Sequence, residues 1–441
     1  CGALTNAHEI FNQLQMLNIV TWNSLIVGYV QHGHGGKAWY CFDRMQNQSM
    51  SPNIETFIGC LRACGNIGAM RKGEEIHAEI ERKGLLEKDI VFNNTLVDMY
   101  FKCGLFAKGH EMFDKILVRD AVSWNILIAG CVQHGCGDKA LERFRQMQVE
   151  GIHPDGATSV SILKACGIVA DVNKGSEMHA KIEIEGLLET NPIVGNALID
   201  MYVKCGMLNK ARELLNRLPK RDTITWNGLI GGYAKQGLSE ETFNCVEKMV
   251  SEGITPDAIT YSCCFKICGT LGAIEKGQEI HARMVIMGLL EGGAIGGSSL
   301  VNMYVKCGSV AKAQAAFDRL YVRNVVTWTT IIGGHVEHGY GKEALNFFEE
   351  MKVERISPNA ITYVYSLKAC GMSRAVEEGA VIHAQVIKEG LLEKSTSVGN
   401  ALVDMYAKCG ALEKAQEVFE QLPARNVVSW NALIAGYVQH G

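Results

Sequence analysis

The chain has 441 residues, of which 47% are hydrophobic and 20% charged, and a formal net charge of -4. No apolar run reaches the ~18 residues that a membrane helix needs. The acidic balance argues against nonspecific, charge-driven binding to nucleic acid, but leaves room for a local basic stripe.

The first 18 residues read as the end of a repeat whose start lies upstream. The pattern then becomes regular. Over 19–53, Val20, Trp22, Leu25, Ile26 and Tyr29 fall at helical spacings, and Gly33 stops the run. A second amphipathic run carries Ala38, Cys41, Phe42 and Met45, and Pro52 closes the unit. Two more helix-turn-helix patterns follow, over 54–89 and 90–120. The whole then recurs, with Trp22, Trp124, Trp226, Trp328 and Trp430 each 102 residues apart. The later units are 121–155, 156–191, 192–222, 223–257, 258–293, 294–324, 325–359, 360–395 and 396–426, and 427–441 starts another. Lengths of 35, 36 and 31 residues thus alternate. Neither helix of a unit can bury its apolar face alone, so the expected fold is all-α: a single α-solenoid array over 1–441, with a concave inner face. Gly28, Gly130, Gly232, Gly334 and Gly436 sit inside first helices, where glycine costs stability, so a close helix approach is expected there.

Of the 16 cysteines, two sets recur at the same period. Cys64, Cys166, Cys268 and Cys370 occur in "ACG" or "ICG", and Cys103, Cys205, Cys307 and Cys409 in "KCG". Recurrence at one place in every block predicts small buried hydrophobes rather than disulfides or metal ligands. A reducing compartment follows from that reading.

The alternating units, with "VTWNSLI…GYVQHG", "GEEIHAEIERKGLLEKD" and "NALVDMYAKCG", resemble plant pentatricopeptide repeat proteins of the P-L-S subclass. The resemblance implies a right-handed superhelix that binds single-stranded RNA. It implies one nucleotide per 35-residue (P) or 31-residue (S) unit, in mitochondria or chloroplasts. It also implies that the fifth and last residues of each such unit choose the base. Those pairs are Asn23 with Asn53, Asn94 with Asp120, Asn125 with Asp155, Asn196 with Asp222, Asn227 with Asp257, Ser298 with Asn324, Thr329 with Asn359 and Asn400 with Asn426. Asn431 opens a further pair. By the family's code the target is 5′-YnUUnUUnAAnYY-3′. Position two, which in the family sandwiches bases, is Val20, Val91, Val122, Ile193, Ile224, Ile295, Val326 and Val428, whereas Ser397 departs from the pattern.

The residues support such a surface in their own right. A polar fifth residue inside an apolar helix must face solvent, a partner or an internal hydrogen bond. Helix capping is the structural alternative, but it accounts poorly for Ser298 and Thr329 changing together with their neighbours. The position-two aliphatics could equally be ordinary core. Lys102, Lys204, Lys306 and Lys408 lie eight residues after a fifth position, on about the same helix face, and would contact phosphates. Arg62, Lys164, Lys266 and Lys368 form a similar set in the 36-residue (L) units. Glu74, Glu75 and Glu81 fall on a second helix, expected on the outer side. Ile58, Val160, Ser262 and Val364, the fifth residues of the L units, lack base-reading character, which leaves those units spacing or contact with organellar editing-factor proteins, as the family suggests.

Catalytic signatures are absent. "HAE" at His77–Glu79 is half of a deaminase motif, but later blocks read His179-Ala-Lys, His281-Ala-Arg and His383-Ala-Gln, with no P-C-x-x-C. "GHGG" at Gly33 and "GYGK" at Gly339 follow helices rather than strands and read as turns. The expectation is a non-enzymatic module that needs no cofactor or membrane, and whose editing domain and transit peptide, if any, lie outside this chain. The competing reading is an α-solenoid scaffold for proteins. Tetratricopeptide arrays of that kind run 34 residues throughout, which the 35/36/31 alternation contradicts.

Overall fold

A computed structural model describes residues 2–14, 17–84, 90–289 and 294–440. Among them every regular element is a helix. The chain divides into two compact units, Cys1–Arg221 and Asp222–Gly441.

The first unit opens with Gly2–Gln13 and continues as paired antiparallel helices. The pairs are Ile19–Gln31 with Gly35–Asn47, Ile54–Ile67 with Met70–Arg82, Ile90–Lys102 with Phe106–Asp114, Ala121–Gln133 with Gly137–Val149, Gly156–Val169 with Val172–Ile184, and Pro192–Lys204 with Leu208–Arg217. The second unit repeats the plan from Thr223–Gln236 to Val427–His440. In each unit a first helix packs on its own second helix and on the first helix of the next pair. First helices therefore form one layer and second helices another, which is the solenoid arrangement. The sequence did not separately announce one element: the four-residue helices Leu187–Thr190 and Leu391–Lys394, which follow the second helix of two L units.

The caps explain where the first helices start. Asn53, Asp120, Asp155, Asp222, Asp257, Asn324 and Asn359 each sit in extended conformation and accept from the backbone N–H three residues on, where a Thr or Ser returns the bond. The turn inside "GHGG" needs Gly33 at φ +75°, and Gly339 sits at φ +88°.

The core runs between the layers. Trp22, Trp124, Trp226 and Trp328 are fully buried. Trp124 meets Phe113 of the preceding pair edge-on at 5.0 Å, and Trp328 meets Phe317 at 4.7 Å. The helix-interior glycines sit where first helices touch. A Cβ at Gly130 would lie 2.6 Å from Phe101 Cγ, one at Gly334 2.5 Å from Val305 Cγ2, and one at Gly436 2.5 Å from Ala407 Cβ.

Candidate nucleic-acid interface

The last residue of one unit and the first helix of the next are the same piece of architecture. Asp155 caps Gly156–Val169, which fixes its carboxylate at the helix start. There it meets the fifth residue of its own unit: Asn125 Nδ2 donates to Asp155 Oδ1 at 3.0 Å and Oδ2 at 3.1 Å. The same pairing joins Asn227 to Asp257 at 2.9 Å and Asn23 to Asn53 at 3.0 Å. In the short units it is longer, with Asn94 to Asp120 at 3.5 Å and Asn400 to Asn426 at 3.3 Å. Capping therefore belongs to the last residues, while the fifth residues stand mid-helix.

Sequence reasoning missed the residue that holds these pairs. Thr56, Thr158, Thr260 and Thr362 are third in each L unit and fully buried. The Thr158 hydroxyl lies 2.6 Å from Asn125 Oδ1 and 2.9 Å from Asp155 Oδ1, and Thr260 stands 2.6 Å from Asn227 Oδ1. Its single proton serves one acceptor at a time. The signal was present, since threonine recurs there in every block. In two of the short units the amide oxygen lacks that bond: Asn94 Oδ1 and Asn400 Oδ1 are buried without a partner among the described residues. Thr329 replaces asparagine. Its hydroxyl sits 2.6 Å from the Val325 carbonyl and 2.7 Å from Thr362 Oγ1, so it is turned inward.

These contacts set the charge. Burial pushes the Asp257 carboxyl up, but the Thr260 N–H, the Asn227 amide and the Thr260 hydroxyl outweigh it and hold it below its ordinary value. Asp120 and Asp155 are lowered in the same way, burial again opposing the bonds. At neutral pH all three are anionic acceptors.

Position two is not core. Val20, Val91, Val122, Ile193, Ile224, Val326 and Val428 are all about half exposed or more, from 48% at Val91 to 68% at Ile224. The side chain of Ile295 lies outside the described residues. Asn196 and Ser298 occupy Pro192–Lys204 and Ala294–Lys306, and Asn431 is exposed on Val427–His440.

The lysine set is less uniform than its spacing implied. Lys102, Lys204 and Lys408 each hold the carboxylate one turn back, Asp98 at 2.7 Å, Asp200 at 2.8 Å and Asp404 at 2.7 Å. An Asp–Lys pair at i, i+4 partly neutralises itself. Lys306 has Asn302 in that place and makes no ion pair among the described residues. The stems do structural work: Gly65, Gly167, Gly269 and Gly371 leave room for the methylenes of Lys102, Lys204, Lys306 and Lys408, which a Cβ would approach to between 3.0 and 3.4 Å.

Other recurring polar residues are internal. His77, His179, His281 and His383 place Nδ1 at 2.6, 2.9, 3.0 and 3.1 Å from the hydroxyls of Tyr100, Tyr202, Tyr304 and Tyr406. Burial lowers the pKa of all four imidazoles. Cys64, Cys166, Cys268 and Cys370 are fully buried free thiols, and burial pushes Cys268 up to about 11. The described residues contain no group of three or more His, Cys, Asp or Glu that could hold a metal ion.

Comparison with known proteins places this architecture. A family model described as "PPR repeat family" matches residues 17–66, 119–167, 221–270 and 323–372, and one described as "PPR repeat" matches 94–120, 196–222, 400–427 and 428–441. A chloroplastic pentatricopeptide repeat-containing protein of Arabidopsis thaliana is 32% identical over 441 residues, covering 100% of this chain and 71% of its own length. A mitochondrial one from the same plant is 31% identical over 442 residues, covering 100% and 64%. The chain thus spans between half and about seven tenths of the length of these relatives, the lower figure being 50% for another chloroplastic protein. Among solved structures, the pentatricopeptide repeat protein PPR10 from maize covers 100% of this chain and 70% of its own at 21% identity, with a TM-score of 0.54. The chain belongs to the pentatricopeptide repeat family.

Proposed function

We propose that this chain is a P-L-S array that reads single-stranded RNA, one nucleotide per P or S unit, and serves as the targeting part of an organellar RNA-editing or RNA-maturation factor. The observation that carries the reading is the side-by-side arrangement of fifth and last residues beneath an exposed aliphatic row. At Asn227 and Asp257 one amide N–H is used by the carboxylate, while the other has no protein partner among the described residues. A free donor beside an anionic acceptor suits the Watson–Crick edge of uracil, which offers carbonyl oxygens and an N3–H. The aliphatic side chains on either side would hold the base by its faces.

Structures of PPR10 in complex with an 18-nt psaJ RNA element share the fold, and relatives carry chloroplastic or mitochondrial names. Both support RNA as the ligand and a plant organelle as the setting. On this reading the target is 5′-YnUUnUUnAAnYY-3′, and the L units, with Ile58, Val160, Ser262 and Val364 at position five, contact editing-factor proteins or set spacing. Gel-shift titration with labelled single-stranded RNA tests it, against single-stranded DNA and duplex RNA of the same sequence. Equal affinity for all three would overturn it.

A further inference from the structure

One pair of positions varies in a correlated way across the four blocks. The ninth residue of each P unit and the sixth of the L unit after it are Val27 with Gly59, Ala129 with Ser161, Gly231 with Cys263, and Gly333 with Tyr365. As one side chain shrinks the other grows. The structure shows contact: a Cβ at Gly59 would lie 3.9 Å from Val27 Cγ2, one at Gly231 3.9 Å from Cys263 Sγ, and one at Gly333 only 2.8 Å from Tyr365 Cε2. The Tyr365 ring thus needs glycine opposite it.

The same block differs at its reading position. A recess of about 290 Å³ opens there, lined by Val326, Thr329, Gly333, Asn359, Ile361 and Tyr365. That is the lower end of the volumes that hold small ligands. Val326 is 54% exposed and Ile361 58%, as a pair of walls requires. Thr329 has one heavy atom fewer than the asparagine of the other blocks, and its hydroxyl is turned into the protein. The recess therefore exchanges an amide for space and adds an aromatic wall. The Tyr365 hydroxyl donates to Glu337 Oε1 at 3.3 Å, which fixes the ring from its far end. Lys368 Nζ stands 5.7 Å from the ring centroid and puts a cation beside it.

We propose that Tyr365 is a specificity-determining residue that contacts the base taken up beside Thr329 and Asn359 and makes that site prefer a purine. The inference rests on the RNA-reading proposal. Aromatic contact is tolerant of sequence but grows with the π-surface of the base, so a purine gains more than a pyrimidine. The L unit, otherwise silent in the code, thereby contributes to the nucleotide of the P unit before it.

The test uses a pair that the chain already tolerates. Tyr365→Cys leaves cysteine opposite Gly333, as Cys263 stands opposite Gly231. Affinities are measured for RNAs with each of the four bases at that nucleotide, and 2-aminopurine fluorescence is read at the same place. Loss of a base–aromatic contact predicts a fall of roughly ten-fold or more in affinity for A-containing RNA, a smaller fall for U, and loss of tyrosine-dependent fluorescence quenching. Base preference at the Asn227/Asp257 nucleotide stays as in the wild type. Tyr365→Phe keeps the purine preference, because the hydroxyl is engaged by Glu337. If Tyr365→Cys ranks the four bases as wild type does, with unchanged affinity and quenching, the inference is wrong while the RNA-reading proposal stands. If the folded wild type shows no base preference anywhere, both fail.

Discussion

Asn227→Thr separates recognition from folding, because the protein contains a template for the product. Thr329 fills the corresponding place in Val325–Glu337, with its hydroxyl 2.6 Å from the carbonyl one turn back and 2.7 Å from Thr362. A threonine at 227 can make the same two contacts, to the Thr223 carbonyl and to Thr260. What it cannot replace is the 2.9 Å bond from the amide to Asp257 Oδ1. Asp257 keeps the N–H groups of Ile259 and Thr260 at 2.9 Å each. The stability cost should be about 1 kcal/mol, the usual net worth of one partly exposed hydrogen bond. The Asp257 pKa should rise, having lost one of the bonds that lower it. Base preference should change more. Asn with Asp fits U, whereas Thr with Asp is the family's G pair, and a well-made base contact discriminates by ~1–3 kcal/mol in the analogous DNA case. Preference at that nucleotide should therefore move from U toward G by roughly ten-fold or more. The assay is the affinity of both proteins for four RNAs differing only at that base, with circular dichroism as the check on folding. Identical base rankings by two folded proteins would refute the reasoning.

Three other outcomes follow from the geometry. Lys306→Ala should weaken binding to every RNA sequence alike and reduce the slope of log affinity against log salt by ~0.7, the single-strand value for one phosphate contact; Lys102→Ala should have a smaller effect, because Asp98 already offsets that charge. Gly334→Ala should destabilise the fold by the ~1–3 kcal/mol of overpacking, read as a lower thermal midpoint, since its Cβ would meet Val305 at 2.5 Å. Asp257 has a folded-state pKa below its ordinary value, so its stabilising effect is present above the unfolded pKa of about 4 and is lost as pH falls through the folded value; in urea titrations the advantage of wild type over Asp257→Asn, which keeps a cap of the Asn359 kind, should shrink as the pH falls below the unfolded value and vanish once Asp257 is protonated in both states.

Much of this was legible because one pattern is written four times over. Fixed spacing of tryptophan, glycine and proline marks helices and turns, and the caps fall on the last residues of the units. Spacing could not say which side of a helix was wet. Val20 and Ile26 look alike in sequence, yet one is 63% exposed and the other fully buried. Distance from the fifth position places the lysines on one helix face but does not give their effective charge, which the aspartate one turn before three of them offsets. Thr56 and its equivalents were hidden for a different reason. They bond across about 33 residues of sequence, as Thr56 Oγ1 does to Asn23 Oδ1 at 2.7 Å, and only the packing of neighbouring first helices brings such atoms together.

Selection from a random single-stranded RNA pool tests the central claim most directly. The protein is immobilised, bound sequences are amplified over several rounds, and the enriched motif is aligned to the order of units. The account predicts 5′-YnUUnUUnAAnYY-3′, with information at the P and S nucleotides and little at the L nucleotides. Enrichment of an unrelated motif, or no enrichment by a folded protein, would contradict it.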